Sequence, residues 1–518
     1  MQRRRHVAGD RPPRQRDRHR DLVVLVVVMG VLMAAVDTTI VVLALPAMER
    51  SLHIALSAVI WVIVAYVLVV TILATQVGRL GDMFGRARMY ELGFLVFIVG
   101  SGLCAAATSE ATIILFRIVQ GIGGAFLTAN SGAVLADAFP AEQRGRAFGY
   151  SSIGWNIGAI LGILLGGLIV TYASWRWVFW INLPTGAAAL TLAVRVLRDS
   201  HPRRRQRFDL AGMALLGAGL FGVLWAMTKL STEAPSAALL SWLLAGAFFL
   251  LLFVWVEHRR TEPMINLRIF RIPTLSPTLL AALFQGIANF AVLFLVLMYL
   301  QGVRGLTPLR ASLLLVPGYL VGGVIGPICG RLADRFGAAW PATLGLGVQI
   351  LALAVYAQLR PTTPLALVTL AAVLNGIGAG AFMPANNSAV MKVAPGRDFG
   401  IASGMLRTFS NVGMVFSFSV AILVAARSIP RGLAFAIFVG TTSLPPALGP
   451  TFATGLHAAF YCSIGFMALA ALLSATRVLP KRSRRSRLGG ADAAATLAVP
   501  ARQGPSPLPP LPPEGDRR

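Results

Sequence analysis

Apolar residues run along this chain in long stretches, separated by short groups of charged residues, Gly and Pro. A helix that crosses the hydrocarbon core of a bilayer needs about 20 predominantly apolar residues, and windows of that size recur along almost the whole sequence. The pattern predicts an all-α integral membrane protein with 14 transmembrane helices. The predicted spans are 22–48, 57–77, 90–107, 111–136, 145–172, 177–197, 209–228, 236–257, 276–301, 309–330, 340–359, 363–391, 398–426 and 452–476.

The composition supports this class of protein. Of the 518 residues, 56% are hydrophobic and 13% are charged, whereas soluble domains carry about 25% charged residues. In a soluble protein the net charge of +26 would suggest nucleic-acid binding. Here the arginines lie in the tails and in the gaps between spans, without a basic face interleaved with aromatic residues. We therefore expect no nucleic-acid partner.

The distribution of basic residues predicts the orientation in the membrane, because Lys and Arg concentrate in cytoplasmic segments. With both termini in the cytoplasm, 36 of the 46 basic residues lie on that side. We predict a multi-pass protein of the cell (plasma) membrane, surrounded by the lipid bilayer, with cytoplasmic N- and C-termini.

Two internal repeats divide the chain. The segment Gly78–Gly85 reappears as Gly330–Gly337, and Ala129–Val134 reappears as Ala385–Val390. Offsets of 252 and 256 residues imply two parallel halves of six spans, with two extra spans between them. The predicted domains are a basic cytoplasmic tail (1–21), an N-terminal six-helix half (22–198), a linker with two extra transmembrane helices (199–275), a C-terminal six-helix half (276–478) and a disordered basic and Pro-rich cytoplasmic tail (479–518).

Four further motifs occur in a fixed order on the predicted spans. They are Asp37-Thr38-Thr39-Ile40 in span 1, Gly78-x-Leu80-x-Asp82-x-x-Gly85-Arg86-x-Arg88 after span 2, Arg117-x-x-Gln120-Gly121-x-Gly123 in span 4, and Trp175-Arg176-Trp177-x-Phe179-x-Ile181-Asn182-x-Pro184 at span 6. Through these motifs the chain resembles the major facilitator superfamily, and within it the fourteen-span drug:proton antiporter branch, over residues 22–478. It departs from that branch at Val42 and Ile163, where the branch usually has Asn and Pro.

The resemblance implies the major facilitator fold, with pseudo-two-fold related halves. It also implies a proton-coupled secondary exporter of amphipathic small molecules or drugs, which works by alternating access and confers antibiotic resistance. The partners would be the substrate and protons, and we expect a monomer. A lipid or glycolipid exporter of the same fold is the close alternative, which the apolar segment 427–451 would suit.

One acidic residue lies in mid-membrane. Asp37 has this position, while the other acids fall in or near the loops and tails. An ionisable group at bilayer depth costs at least about 2.5–3.5 kcal/mol on insertion scales and is therefore often functional. Arg117 in span 4 is the nearest plausible counter-charge, and the resemblance links it to proton transfer. We expect Asp37 to carry the proton and Arg117 to adjust the proton affinity of Asp37. The alternative is a static buried pair that holds spans 1 and 4 together.

Polar or aromatic residues within apolar spans are candidates for a substrate cavity between the halves, although each could serve only helix packing. They are Tyr66, Gln120, Phe126, Asn130, Trp155, Asn156, Gln285, Asn289, Asn386, Arg407 and Asn411. Arg407 is the second charge within a span, and its half has no intramembrane acid. It could attract an anionic substrate or headgroup, pair with Asp37, or bind backbone carbonyls.

The loop after span 2 is a candidate conformational switch. Its residues are Gly78, Asp82, Gly85, Arg86 and Arg88, with Asp334 at the repeated position. Gly85 permits a tight turn, and Asp82 can cap a neighbouring helix N-terminus. The resemblance implies that this contact latches the halves on the cytoplasmic side, whereas a topology signal alone is the alternative.

Small residues form a stripe in span 5, where Gly154, Gly158 and Gly162 recur every four residues. Such spacing lets two helices approach closely. It predicts tight packing against a neighbouring helix, either static or sliding during transport.

Other chemistry finds little support in the sequence. The three cysteines and six histidines lack metal-ligand or redox spacing, and no phosphate-binding loop occurs. We expect no cofactor, no metal site and no enzymatic activity. A membrane enzyme acting on lipid-linked substrates is the alternative from another class.

Overall fold

The computed structural model describes residues 13–54, 56–139, 144–199, 208–260, 263, 274–393, 399–425 and 449–478. These residues form helices joined by short connections, without a strand among them. The helices are α1 (Pro13–Leu52), α2 (Leu56–Val59), α3 (Trp61–Phe84), α4 (Arg86–Ala105), α5 (Glu110–Ala138), α6 (Arg144–Tyr172), α7 (Trp177–Trp180), α8 (Asn182–Val196), α9 (Leu210–Thr232), α10 (Ala237–Arg259), α11 (Leu275–Met298), α12 (Pro308–Phe336), α13 (Ala339–Tyr356), α14 (Leu365–Val393), α15 (Phe399–Ala425) and α16 (Gly449–Ala475). A short π-helical turn, Tyr299–Val303, extends α11.

Each predicted span corresponds to a helix or to a consecutive pair of helices, α2 with α3 and α7 with α8. Thirteen of the described segments are long and apolar enough to cross a membrane. Helix α15, with 27 residues, occupies the position of the remaining predicted span. The all-α membrane fold predicted from the hydrophobic pattern is confirmed. The predicted domain boundaries stay a prediction, and the tails 1–12 and 479–518 lie outside the described residues.

Local sequence signals set the helix ends. Ser109 caps α5 in a reciprocal arrangement with Thr112, and Thr307 caps α12, which has Pro308 in its first turn. At the repeated loops, α3 ends at Gly85 with φ of 112° and α12 ends at Gly337 with φ of 94°. Residues with a Cβ rarely adopt such positive φ values, so the repeated glycines make equivalent turns in the two halves.

The two halves use equivalent helix pairs. In the N-terminal half, α1 packs on α6 and α3 packs on α5; in the C-terminal half, α11 packs on α15 and α12 packs on α14. Glycines allow close approach in both halves. Gly158 of α6 lies against Leu32 of α1, and Gly413 of α15 lies against Leu283 of α11. This correspondence is the pseudo-two-fold relation expected from the sequence repeat.

The halves meet along two seams. Helix α6 packs on α12, and α3 packs on α15. On the first seam, Gly167 approaches Leu309 and Ser312. On the second, the hydroxyls of Thr75 and Thr408 are 3.2 Å apart and share a hydrogen bond.

The two extra helices, α9 and α10, pack on each other through Gly219, Gly222 and Gly246. Helix α9 also lies against α3 and α15, so it covers the second seam from outside. At its start, the buried Asp209 accepts a hydrogen bond from the Gly212 amide at 2.7 Å and pairs with Arg260. The extra helices are therefore anchored at that end by a charged contact.

The bundle has two ends. The end that carries Arg86, Asp137 and Asp199, with the starts of α1 and α15, is called the basic end here. The positive-inside rule would place it in the cytoplasm.

Candidate functional site

A buried ion pair lies inside the N-terminal half. The Arg117 Nη1 of α5 is 2.7 Å from the Asp37 Oδ2 of α1, and both residues are fully buried. The structure thus brings together the two residues that the sequence singled out for proton coupling. Because a charge away from water is costly unless it is paired and hydrogen-bonded, the surroundings of this pair decide what it can do.

Gln120, one turn along α5 from Arg117, bridges the pair. Its Nε2 donates to Asp37 Oδ1 at 2.9 Å, and its Oε1 accepts from Arg117 Nη1 at 2.7 Å. Both carboxylate oxygens of Asp37 are therefore hydrogen-bonded. The structure places Gln120, a candidate for the substrate cavity, in the ion-pair network.

Backbone and aromatic groups of α3 complete the site of the guanidinium. Arg117 Nε donates to the Val62 carbonyl oxygen at 2.7 Å. The Tyr66 ring lies 4.4 Å from the guanidinium carbon, within cation–π range. The Tyr66 ring therefore covers the guanidinium of the pair.

Two residues of this network were not among the sequence candidates. Ser101 of α4 accepts from Gln120 Nε2 at 3.3 Å and from Asn182 Nδ2 at 3.0 Å, and donates to the Phe179 carbonyl at 3.0 Å. Asn182 lies in the span 6 motif, so its signal was a buried polar side chain within a motif already quoted. Ser101 carries no such signal, because hydroxyl residues are common in transmembrane helices.

The network joins α1 to α5 through opposite charges. Asp37 of α1 binds Arg117 and Gln120 of α5 through both carboxylate oxygens. Removal of the Asp37 charge would leave the Arg117 charge without its counter-ion in a buried site, which is unfavourable. The arrangement therefore connects the charge of Asp37 to the packing of α1 on α5.

The candidate switch loop forms a second charged cluster, at the basic end. Arg86 Nη2 lies 2.8 Å from Asp82 Oδ1, and Arg86 Nη1 lies 2.5 Å from Asp137 Oδ1 at the end of α5. Asp199, which follows α8, accepts from the Ala87 amide at 2.9 Å. These contacts tie the ends of α3, α4, α5 and α8 to one another.

At the start of α4, the carboxylate that accepts from the backbone is Asp199. We predicted that Asp82 caps a neighbouring helix N-terminus, and its carboxylate binds the Arg86 side chain. Arg86 lies four residues after Asp82, at the start of the next helix, so its side chain can bind the Asp82 carboxylate. Arg88 lies 3.7 Å from Asp199. The role of this loop as a latch between the halves stays a prediction.

The remaining loop candidates lie nearby or in the repeat. Gly78 faces open space. Asp334, at the position equivalent to Asp82, accepts a hydrogen bond from the Ser388 hydroxyl of α14 at 2.9 Å. The second loop therefore connects α12 to α14, just as the first connects α3 to α5.

Most N-terminal cavity candidates make contacts within their own half. Phe126 packs with Val77 between α5 and α3, and the side chain of Asn130 lies against Gly81 of α3. Trp155 is partly buried against the core. Asn156 is the exception, because it lies beside Gly323 of α12 on the first seam.

The C-terminal candidates divide in the same way. Gln349 Nε2 donates to Asn289 Oδ1 at 2.9 Å, which links α13 to α11, and Gln285 of α11 is buried. Asn386 accepts from Arg477 Nη1 at 3.2 Å. Burial lowers the pKa of Arg477 to about 10.

Arg407 and Asn411 lie one turn apart on α15 and are partly exposed. Arg407 reaches α5 of the other half, where its Nη2 is 3.5 Å from Ser131 Oγ. Asn156 and Arg407 are thus cavity candidates with a neighbour in the opposite half.

Comparisons with known proteins agree with the fold. The Major Facilitator Superfamily profile matches residues 27–418. The chain is 31% identical over 397 residues to the tetracenomycin C resistance and export protein of Streptomyces glaucescens, which covers 75% of this chain and 73% of that protein. It is 31% identical over 398 residues to the multidrug resistance protein Stp of Mycobacterium tuberculosis, with coverage of 76% and 73%.

Two further likenesses extend this picture. The riboflavin transporter RibZ of Clostridioides difficile is 31% identical over 392 residues, which covers 76% of this chain and 85% of that protein. The crystal structure of the human organic anion transporter MFSD10 is 17% identical with a TM-score of 0.61, and covers 90% of this chain and 100% of that one. At 17% identity, the match to MFSD10 shows a similar fold only.

A bundle of apolar helices in two equivalent halves, with transporters as its relatives, defines a multi-pass membrane transporter of small molecules rather than an enzyme. The chain belongs to the Major Facilitator Superfamily. The resemblance to the drug-efflux branch is confirmed by relatives named for drug resistance and export.

Proposed function

We propose that this transporter exports amphipathic small molecules, drugs among them, in exchange for protons that enter the cell. The buried pair of Asp37 and Arg117 carries the proposal, because it joins an ionisable carboxyl group to a second helix through a 2.7 Å contact. The relatives named for tetracenomycin C export and multidrug resistance support drugs as cargo.

Asp37 carries the proton in this mechanism. In its ionised form it binds Arg117 and Gln120 and holds α1 against α5. Protonation removes the negative charge, and the unpaired guanidinium then favours a second arrangement of the helices. Loss of the proton on the other side of the membrane restores the pair. Each proton that moves down the membrane potential supplies about 2.3 kcal/mol per 100 mV.

The orientation and assembly belong to the same proposal. The basic end faces the cytoplasm, both termini lie there, and one chain in the plasma membrane performs the whole cycle. Substrate leaves between the halves as the seams α6–α12 and α3–α15 open and close.

A second class of cargo is favoured by one observation, the similarity to a protein named as a riboflavin transporter. Planar heteroaromatic metabolites therefore belong in the substrate screen beside cationic and neutral drugs. Lipid or glycolipid cargo is a further outcome of that screen, since most of 427–451 lies outside the described residues.

The test measures proton release and substrate exchange separately. Everted vesicles that hold a pH gradient are loaded with a pH-sensitive dye, and substrates that collapse the gradient are identified. Asp37→Asn should abolish this substrate-driven proton flux. It should retain counterflow, the exchange of labelled for unlabelled substrate without a gradient, because the neutral amide replaces the protonated carboxyl and no proton has to bind before the substrate-loaded helices move.

Glu49→Gln is the matched control, since Glu49 is an acid on the same helix outside the buried network. It should leave both fluxes at the wild-type level. Normal proton flux in Asp37→Asn would falsify the proposal. Loss of both fluxes in Asp37→Asn protein that still unfolds cooperatively also contradicts it, because the pair would then have a structural role only.

A further inference from the structure

Arg407 lies in the seam between the halves. It belongs to the same stretch of α15 as Gly404 and Thr408, which face Thr75 of α3. Its guanidinium extends towards α5 and α4 of the N-terminal half, where Ser131 is its hydrogen-bond partner and Tyr90 is the ionisable group that faces it. A cation is therefore held between the two halves, eight residues into the helix.

The contacts of this cation are weak. One N–H of Arg407 reaches Ser131 Oγ at 3.5 Å, at the limit of a hydrogen bond. Arg117, in contrast, makes three contacts at 2.7 Å, to Asp37, Gln120 and Val62. An arginine has five N–H donors, so most donors of Arg407 are unused among the residues that the structure describes.

The sequence leaves three partners open for Arg407: Asp37, a backbone carbonyl, or an anionic substrate or headgroup. Asp37 is bound on both oxygens by Arg117 and Gln120, so it is not the partner of Arg407. A backbone carbonyl is not its hydrogen-bond acceptor among the described residues either. The third partner, an anionic headgroup or substrate, fits a seam cation whose one hydrogen bond to a described residue is 3.5 Å long.

We propose that Arg407 is the anchor for an oxyanion group, a carboxylate or phosphate, on the amphipathic molecule that binds between the halves. The planar guanidinium matches such groups with two parallel hydrogen bonds. Asn411, four residues further along α15, lies on the same helix face and supplies a second polar group. The inference rests on the proposed transport function and narrows its substrates to those with an anionic group.

Binding of a matched pair of probes tests the proposal. The probes are 1-pyrenebutyrate and 1-pyrenebutyramide, which share shape and differ in charge, and their binding quenches tryptophan fluorescence of the protein in phosphatidylcholine nanodiscs. The wild type should bind the carboxylate at least about tenfold more tightly than the amide, a difference of about 1.4 kcal/mol.

The variants locate the effect. Arg407→Gln should reduce the carboxylate-to-amide preference to about one, and Arg407→Lys should keep part of it because the charge remains. Arg310→Gln, which removes an exposed arginine at the opposite end, should keep the wild-type preference. The proposal fails if the wild type shows no preference for the carboxylate, or if Arg407→Gln retains the preference.

Two further measurements are needed. One distinguishes a lipid headgroup from a free small molecule, and the other distinguishes a failure of this proposal from a failure of proton coupling. If phosphatidylglycerol in the nanodiscs removes the Arg407-dependent preference, a lipid headgroup occupies the site; if the preference persists, the site selects a free small molecule. No gradient is present, so the binding measurement does not require proton flux. If Asp37→Asn protein loses proton flux but keeps the preference for the carboxylate probe, both proposals are supported. If it keeps both the proton flux and the preference, only the coupling role of Asp37 is contradicted.

Discussion

Gly85 shows how one residue can determine the geometry of the switch loop. Its φ of 112° is unfavourable for residues with a side chain, and a Cβ there would lie 2.1 Å from Asp199 Oδ2. The missing side chain thus makes room for the carboxylate that binds the start of α4. Gly337, at the equivalent loop, also has a positive φ, but nothing lies within 4 Å of its Cβ position.

Replacement of these two glycines should separate backbone strain from the contact with Asp199. Gly337→Ala should cost about 1–3 kcal/mol, the range for a strained backbone conformation. Gly85→Ala should cost more, because the methyl group also displaces Asp199 from the Ala87 amide. Thermal unfolding of the purified variants measures both effects.

The control is the double variant Gly85→Ala with Asp199→Ala. Measured against Asp199→Ala alone, the alanine at position 85 should then cost no more than Gly337→Ala. Equal losses for the two single glycine variants would show that Asp199 does not depend on Gly85.

At the scale of whole elements, the contact of α1 with α6 rests on glycines. A Cβ at Gly158 would lie 2.7 Å from the Leu32 carbonyl and 2.8 Å from Ala35 Cβ, while one at Gly154 would lie 3.1 Å from Val28. The sequence predicted close packing of this face. Because Asp37 is carried by the same helix α1, a shift of α6 would also disturb the ion pair.

We expect Gly158→Ala to destabilise the protein by about 1–3 kcal/mol, the cost of overpacking a tight interface, and Gly154→Ala to cost less. Gly465→Ala is the control, since nothing lies near its Cβ and alanine favours a helix over glycine by about 1 kcal/mol. Unfolding midpoints and transport rate per folded molecule are measured together. A slower rate at unchanged stability would contradict static packing and indicate a sliding contact.

At the scale of the molecule, hydrophobic runs and repeats were enough to predict the helices and the two halves. Asp37 and Arg117 could be paired from sequence because charges within spans are so few. The sequence could not assign Gln120, Ser101 and Asn182 to one network, because neutral polar residues are frequent in spans and their partners depend on helix packing.

The loop at the basic end shows the same limit. Asp82 and Asp199 are both acids close to arginines, and charge alone does not tell which one meets a helix N-terminus. The answer depends on where α8 ends relative to α4, which is a property of the packed bundle. For the same reason, hydropathy identified Arg407 as unusual but could not place it in the seam.

Alternating access requires the two halves to move apart along their seams. The Thr75 and Thr408 hydroxyls, 3.2 Å apart across the α3–α15 seam, mark a point where alternating access requires separation. In a background with Cys104, Cys329 and Cys462 replaced by serine, Thr75→Cys with Thr408→Cys should form a disulfide on oxidation. Substrate counterflow should fall to background and recover on reduction, because the bond prevents this seam from opening. Thr75→Cys alone, treated with the same oxidant, should stay active. Full counterflow in the cross-linked protein would show that transport does not open this seam.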